Sequence, residues 1–158
     1  MPSQKVTQIE ALSKLQRYCS IQDRCHQEVK SKLLALGLRG DMLEEVIIAL
    51  IQDDFLNEER FARSFARGKF RMNGWGRNKI IVGLRRKGVP QSIIDIALDE
   101  LEDQDYKSEL IELLVKKRRT IRESDPWKLK QKLFAYAASR GYESGLISTC
   151  LRELSDLV

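Results

Sequence analysis

Residues 28–50, EVKSKLLALGLRGDMLEEVIIAL, place Val29, Leu33, Leu38, Leu43, Val46, Ile47 and Leu50 around Gly37. The steps of three and four on either side are those of a buried stripe on a helix, and the glycine falls where the first helix must end. The pattern recurs 51 residues later as Ile80, Leu84, Gly88, Val89, Ile94, Ala97, Leu98 and Leu101. A further offset of 53 brings it to Leu133, Ala137, Gly141, Tyr142, Ile147, Cys150, Leu151 and Leu154. A positive φ is cheapest for a residue without Cβ, so each glycine predicts a helix stop with a new helix behind it.

Asp41 and Ser92 precede apolar-periodic runs and are read as N-caps, with Ser144 in that role in the third stretch. A less uniform helix is expected upstream of each pair, over Ile9 to Tyr18, Asn57 to about Met72 and Tyr106 to about Arg122. The strand-like run VIIALI continues the periodicity of Leu43, Val46, Ile47 and Leu50, so it is read as a buried helix. The expected fold is all-α, with tandem three-helix repeats over 1–54, 55–103 and 104–158 forming an elongated, curved helical array. The alternative is a single helical bundle whose repeats are generic amphipathic spacing.

Of the 158 residues, 42% are hydrophobic and 32% charged, enough apolar material to fold by burial. The net charge of +5 and a pI near 9.2 raise nucleic acid as a partner without deciding it. No apolar run follows Lys5, which predicts a cytosolic chain without a signal peptide, and VIIALI is far too short to span a membrane. Cys19, Cys25 and Cys150 have no metal spacing and read as reduced thiols.

Between Arg60 and Lys87 there are ten Lys or Arg residues and no Asp or Glu. On the helix expected there, Phe61, Ala62, Phe65 and Ala66 form one face, while Arg60, Arg63, Arg67 and Arg71 fall at helical spacing on another. Asn57 is placed to cap this helix and Glu58 and Glu59 to meet its positive end. Lys69, Arg77, Lys79, Arg85, Arg86 and Lys87 complete the first candidate contact surface. Lys116, Lys117, Arg118 and Arg119 form a second patch, contiguous with the first if the units stack in order. Guanidinium groups suit phosphates and carboxylates alike, so DNA and an acidic protein groove both remain open, beside the reading of a solvated cationic face.

Trp75 and Trp127 read as hydrophobic plugs at helix junctions, with stacking on a base as the alternative. The acidic cluster from Asp95 to Asp105 reads as an exposed helix end and linker, and Asp53 with Asp54 as a turn with an ion pair to a following arginine. His26 is the sole histidine, and neither a nucleophile elbow nor a zinc-protease pair nor a P-loop is present, so no catalytic residue, metal or cofactor is expected.

The string LIQDDFLNEERFARSFARGKFRMNGWGRNKIIVGLRRKGV, residues 50–89, resembles the bacterial RecX family of recombinase regulators. The resemblance rests on Leu50, Asp53 with Asp54, Phe55, Phe61 with Ala62, Gly76, Arg77, Leu84, Gly88 and Val89. Arg24, Glu28, Val29, Leu33, Gly37 and Leu38 extend it into the first unit, and Lys132, Leu133, Arg140, Gly141 and Tyr142 into the third. Cys25-His26 departs from the family's His-Ser or His-Thr pair, which puts a cap-like hydroxyl in doubt. The resemblance implies a monomeric, cytoplasmic, non-enzymatic protein of tandem three-helix units that lies in the groove of the RecA recombinase filament, on DNA directly or through the filament. It would dampen ATP hydrolysis and strand exchange, and so restrain recombination and the DNA-damage response. The alternative is a stand-alone helical DNA-binding protein.

Overall fold

The computed structural model describes residues 6–156. Met1–Lys5, on which the signal-peptide reading partly rests, and the last two residues of the third expected unit lie outside them. The described residues form nine helices and no strand: α1 (Gln8–Ile21), α2 (His26–Ala35), α3 (Gly40–Gln52), α4 (Glu58–Asn73), α5 (Arg77–Arg86), α6 (Gln91–Leu98), α7 (Asp103–Arg118), α8 (Pro126–Ser139) and α9 (Ser144–Asp156). VIIALI lies inside α3, with Val46 and Leu50 buried.

The repeated glycines end α2, α5 and α8 in the same way. Gly37, Gly88 and Gly141 have φ of 93°, 76° and 97°. Each donates its N–H to the carbonyl three residues back, and the next residue donates to the carbonyl five back: Leu38 to Leu33, Val89 to Leu84, Tyr142 to Ala137. This is the Schellman closure, and its accompanying apolar contact is supplied by Leu38, Val89 and Tyr142, all buried. Asp54 takes the same place after α3, with φ 59° and Phe55 bonded to the Leu50 carbonyl.

Three expected caps are corrected. The N-cap of α3 is Arg39, whose side chain makes no capping bond, and Asp41 lies in the first turn, where its carboxylate meets the helix dipole. Ser92 is inside α6, whose first turn bonds to the Pro90 carbonyl, and Ser144 is the first residue of α9, with Ile147 bonded to the Glu143 carbonyl. The expected helix to Arg122 stops at Arg118, because the chain turns at Thr120 and Ile121. Asn57 does cap α4, its Oδ1 accepting from the Arg60 N–H at 2.9 Å.

The chain divides into two compact units. Unit 1 comprises residues 1–64 and 84–97, and unit 2 residues 65–83 and 98–158. In unit 1, α1 packs on α2 and α3 around Ala11, Leu15, Val29, Leu33, Leu43, Val46 and Leu50. Each such fully buried leucine contributes about 1.5–3 kcal/mol. Glu58, buried, accepts the His26 N–H at 2.8 Å, while Glu28 accepts the Cys25 N–H at 3.2 Å. Two carboxylates therefore start α2 where the hydroxyl cap is missing.

In unit 2, α7, α8 and α9 pack against one another around Leu110, Leu114, Ala137, Ile147 and Cys150. Phe70 and Tyr142 both pack their rings against that of the buried Tyr106, with centroids 5.8 Å and 5.1 Å from it. Gly76 and Asn78, at the start of α5, donate to the carbonyls of Arg140 and Gly141 at 2.8 and 2.9 Å. A Cβ on Gly76 would lie 2.4 Å from the Gly141 carbonyl carbon, so only glycine permits this approach. The three cysteines are free and buried.

Candidate functional site

The ten basic residues of 60–87 fall in both units. In unit 1, Arg60 is held within the fold: its Nε lies 2.7 Å from Asp23, its Nη1 3.1 Å from Asp54, and its Nη2 donates to the carbonyls of Asp54 and Phe55. The ion pair expected of Asp54 is thus made to Arg60. Arg63 pairs with Glu59 one turn away at 3.0 Å. Arg85 donates to Gln91 at 2.9 Å, and Gln91 in turn donates to Asp95. Arg86 is exposed and makes no ion pair with a described residue. Lys87 borders a groove of about 440 Å³ with Tyr18, Glu28, Ser31 and Lys32. There the Arg24 guanidinium stacks 3.7 Å above the Tyr18 ring, with Lys32 Nζ 5.5 Å from it.

Unit 2 carries a denser arrangement. Trp75, half-buried, meets Phe65 edge-on at 6.3 Å, and the Nζ atoms of Lys69 and Lys79 both lie 4.8 Å from its ring. The glycine at 83 permits this packing, since a Cβ there would come within 2.9 Å of Phe65. Two ammonium groups on one indole give a cationic site with an aromatic wall, suited to a phosphate, a base or a carboxylate.

Arg71 lines a second feature, an open groove of about 430 Å³ with Lys116, Lys117, Tyr136 and Arg140, in which Glu109 and Glu112 are the acidic members. The groove joins Arg71 of the first basic stretch to Lys116 and Lys117 of the second. Lys116 is paired with Glu112 at 2.8 Å, Lys117 lies 4.5 Å above the Tyr136 ring, and Arg71 makes no ion pair with a described residue. The Arg140 Nη2 donates to the Asn73 carbonyl at the end of α4, and its buried Nε has no partner among the described residues. Arg118 and Arg119 are exposed at the end of α7.

Arg67 pairs with Glu100 at 3.4 Å. Arg77 is occupied inside unit 2: its guanidinium bonds Glu143 at 3.0 Å and Asp103 at 2.7 Å and stacks 3.9 Å above the Tyr106 ring. The Tyr106 hydroxyl accepts the Arg77 N–H and donates to Glu143. Burial, and then the bond to Glu143, push this phenol well above its ordinary pKa. Arg60 and Arg77 therefore hold structure.

The acidic cluster is the exposed helix end and linker expected, with Glu100 and Asp103 screening arginines beside it. Trp127 is not a plug: it sits in the first turn of α8 with 66% of its surface exposed, its N–H accepted by Asp125. Arg24, Tyr18, Tyr136 and Arg140 were not singled out as contacts from sequence, because only the folded chain brings their rings and cations together. Among the described residues no cluster of His, Cys, Asp or Glu is placed to hold a metal ion, and no helix is long and apolar enough to cross a membrane.

Residues 57–98 match the family model described as RecX, second three-helix domain, and residues 104–151 match RecX, third three-helix domain. The regulatory protein RecX of Prosthecochloris aestuarii is 30% identical over 145 residues, covering 92% of this chain and 93% of that relative. The chain belongs to the RecX family. The RecX of Clostridium perfringens strain 13 is 32% identical over 135 residues, covering 84% of this chain, and the chain spans only 63% of that relative's length. A RecX crystal structure from Lactobacillus salivarius superposes with a TM-score of 0.88 at 25% identity, covering 96% of this chain and 97% of that one. A second RecX crystal structure, at 23% identity and a TM-score of 0.82, shares the fold. The all-helical fold expected of the family is the one observed among the described residues. RecX relatives carry the name of regulatory proteins, not of a reaction.

Proposed function

We propose that this RecX-family chain is a cytoplasmic, non-enzymatic regulator of the RecA recombinase filament. It binds in the filament groove as a monomer and reduces ATP hydrolysis and strand exchange. The observation that carries this reading is the pairing, in unit 2, of the Lys69–Trp75–Lys79 site with the Arg71–Lys116–Lys117 groove, in a chain of this family. Cations arranged around aromatic rings grip an extended anionic surface without reading base edges.

The contact set is Arg63, Arg67, Lys69, Arg71, Lys79, Arg85, Arg86, Lys87 and Lys116 through Arg119, with Arg60 and Arg77 positioning the elements that present them. Such a set opposes subunit closure by bridging anionic groups of the filament. The test is the DNA-dependent ATPase of a RecA filament titrated with this protein at several salt concentrations: inhibition that weakens with salt is expected. A folded protein that leaves the rate unchanged removes the reading.

The second reading, direct binding to DNA alone, is favoured by Trp75, whose ring, with two lysine ammonium groups against it, resembles a base-stacking platform. Binding to naked single strands as tight as binding to the filament would select it.

A further inference from the structure

Unit 2 has a further groove that shares only Arg118 with the proposed contact set. Leu114 and Val115 of α7, Leu129 and Leu133 of α8, and Leu151 and Leu154 of α9 line an open groove of about 310 Å³. Arg118 and Lys130 stand at its rim. No carboxylate is among the described residues that line the groove, and three from these helices and their connection are paired elsewhere: Glu112 to Lys116, Glu123 to Lys132 and Glu153 to Lys107. Neither Arg118 nor Lys130 makes an ion pair with a described residue, so the groove sets two cations at the rim of an aliphatic floor.

That combination selects the occupant. A nucleic-acid backbone matches the cations and gains nothing from six aliphatic side chains, because bases take stacking surfaces and no aromatic ring is among the described residues that line this groove. A neutral amphipathic helix matches the floor and leaves the rim unanswered. We propose that the groove between α7, α8 and α9 docks a short acidic segment of a partner protein. A bulky apolar side chain of that segment sits on Leu129, Leu133 and Leu151, and flanking carboxylates meet Arg118 and Lys130. The apolar anchor supplies affinity, and the two charges supply orientation and rate of encounter. This inference shares Arg118 with the filament reading and stands or falls by its own binding measurement, made without the filament.

The probe is a labelled synthetic peptide of Asp and Glu around a central Leu-Phe pair, followed by fluorescence anisotropy on the full chain. Saturable binding is expected, lost when the Leu-Phe pair is replaced by two serines. R118E with K130E, both surface changes that leave the helices intact by circular dichroism, should weaken binding at least about tenfold. Leu154→Ser, at the edge of the groove, should weaken it without altering the response to the charge reversal.

The proposal is overturned by no binding of the peptide, equal binding of the serine peptide, unchanged affinity in the charge-reversed variant, or a labelled oligothymidylate lost in that variant while the peptide is retained. Concentration-dependent self-association abolished by Leu154→Ser would assign the groove to a second copy of this chain and also overturn it.

Discussion

Gly76 and Gly141 meet backbone to backbone in unit 2, the Gly76 N–H bonding the Arg140 carbonyl at 2.8 Å while the Gly141 carbonyl accepts from Asn78 at 2.9 Å. Neither position has space for a side chain. A Cβ on Gly141 would come within 2.4 Å of Lys79 Cβ, at a φ of 97° that L residues rarely adopt. Gly76→Ala and Gly141→Ala should each cost about 2–4 kcal/mol in urea denaturation, from overpacking at both sites and strain at the second. Gly68→Ala, within α4 and facing open space, should instead gain up to about 1 kcal/mol from helix propensity. Equal effects at the three positions would contradict the packing.

Arg77 and Lys79 lie two residues apart and should answer to different measurements. Arg77→Gln removes ion pairs to Glu143 and Asp103 and lowers stability by about 1–3 kcal/mol. K69E with K79E leaves the melting temperature nearly unchanged and weakens binding to an anionic polymer, reporting through Trp75 fluorescence. A double variant that unfolds, or binds as before, would count against the Trp75 site.

Tyr106 and Tyr142 are held above the ordinary phenol value of 10.0, chiefly by burial. A phenol with a raised folded pKa keeps its proton longer folded than unfolded. The stability it contributes is therefore complete below pH 10 and is lost as pH rises above that value. In an alkaline titration, phenolate absorbance from these two rings should appear together with the loss of helix, not before it. Tyr106→Phe should remove part of that pH dependence and cost about 1–2 kcal/mol at neutral pH, since the Arg77 N–H loses its acceptor.

Glu58 tests the start of α2. Glu58→Ala leaves the His26 N–H without its acceptor and should cost about 1–3 kcal/mol, whereas Glu59→Ala, one residue on and exposed, should cost under about 1 kcal/mol. Differential scanning calorimetry of the two variants checks this, and equal shifts would deny Glu58 its capping role.

The repeated turns were legible because their geometry leaves little choice: a left-handed residue and then a buried apolar one recur as Gly37-Leu38, Gly88-Val89 and Gly141-Tyr142. Asp54 hides the same turn, since an aspartate at φ 59° looks like any acidic residue in a chain. The cations were visible as a run, but apart from Asp54 for Arg60 their partners were not. Arg77 finds Asp103 and Glu143, 26 and 66 positions away, and only folding separates such an arginine from Lys69 or Arg71. Trp127 failed as a plug because, two positions before Leu129 and six before Leu133, it falls on a different face of α8 from that apolar stripe and is left exposed.

The most direct test of the central claim is the DNA-dependent ATPase rate of a RecA filament titrated with the wild-type chain and with R71E/K117E, whose folding is verified by circular dichroism. Salt-sensitive inhibition by the wild type, lost by about tenfold or more in concentration for the variant, is the predicted result. Equal inhibition by both proteins, or none by the folded wild type, would contradict the account.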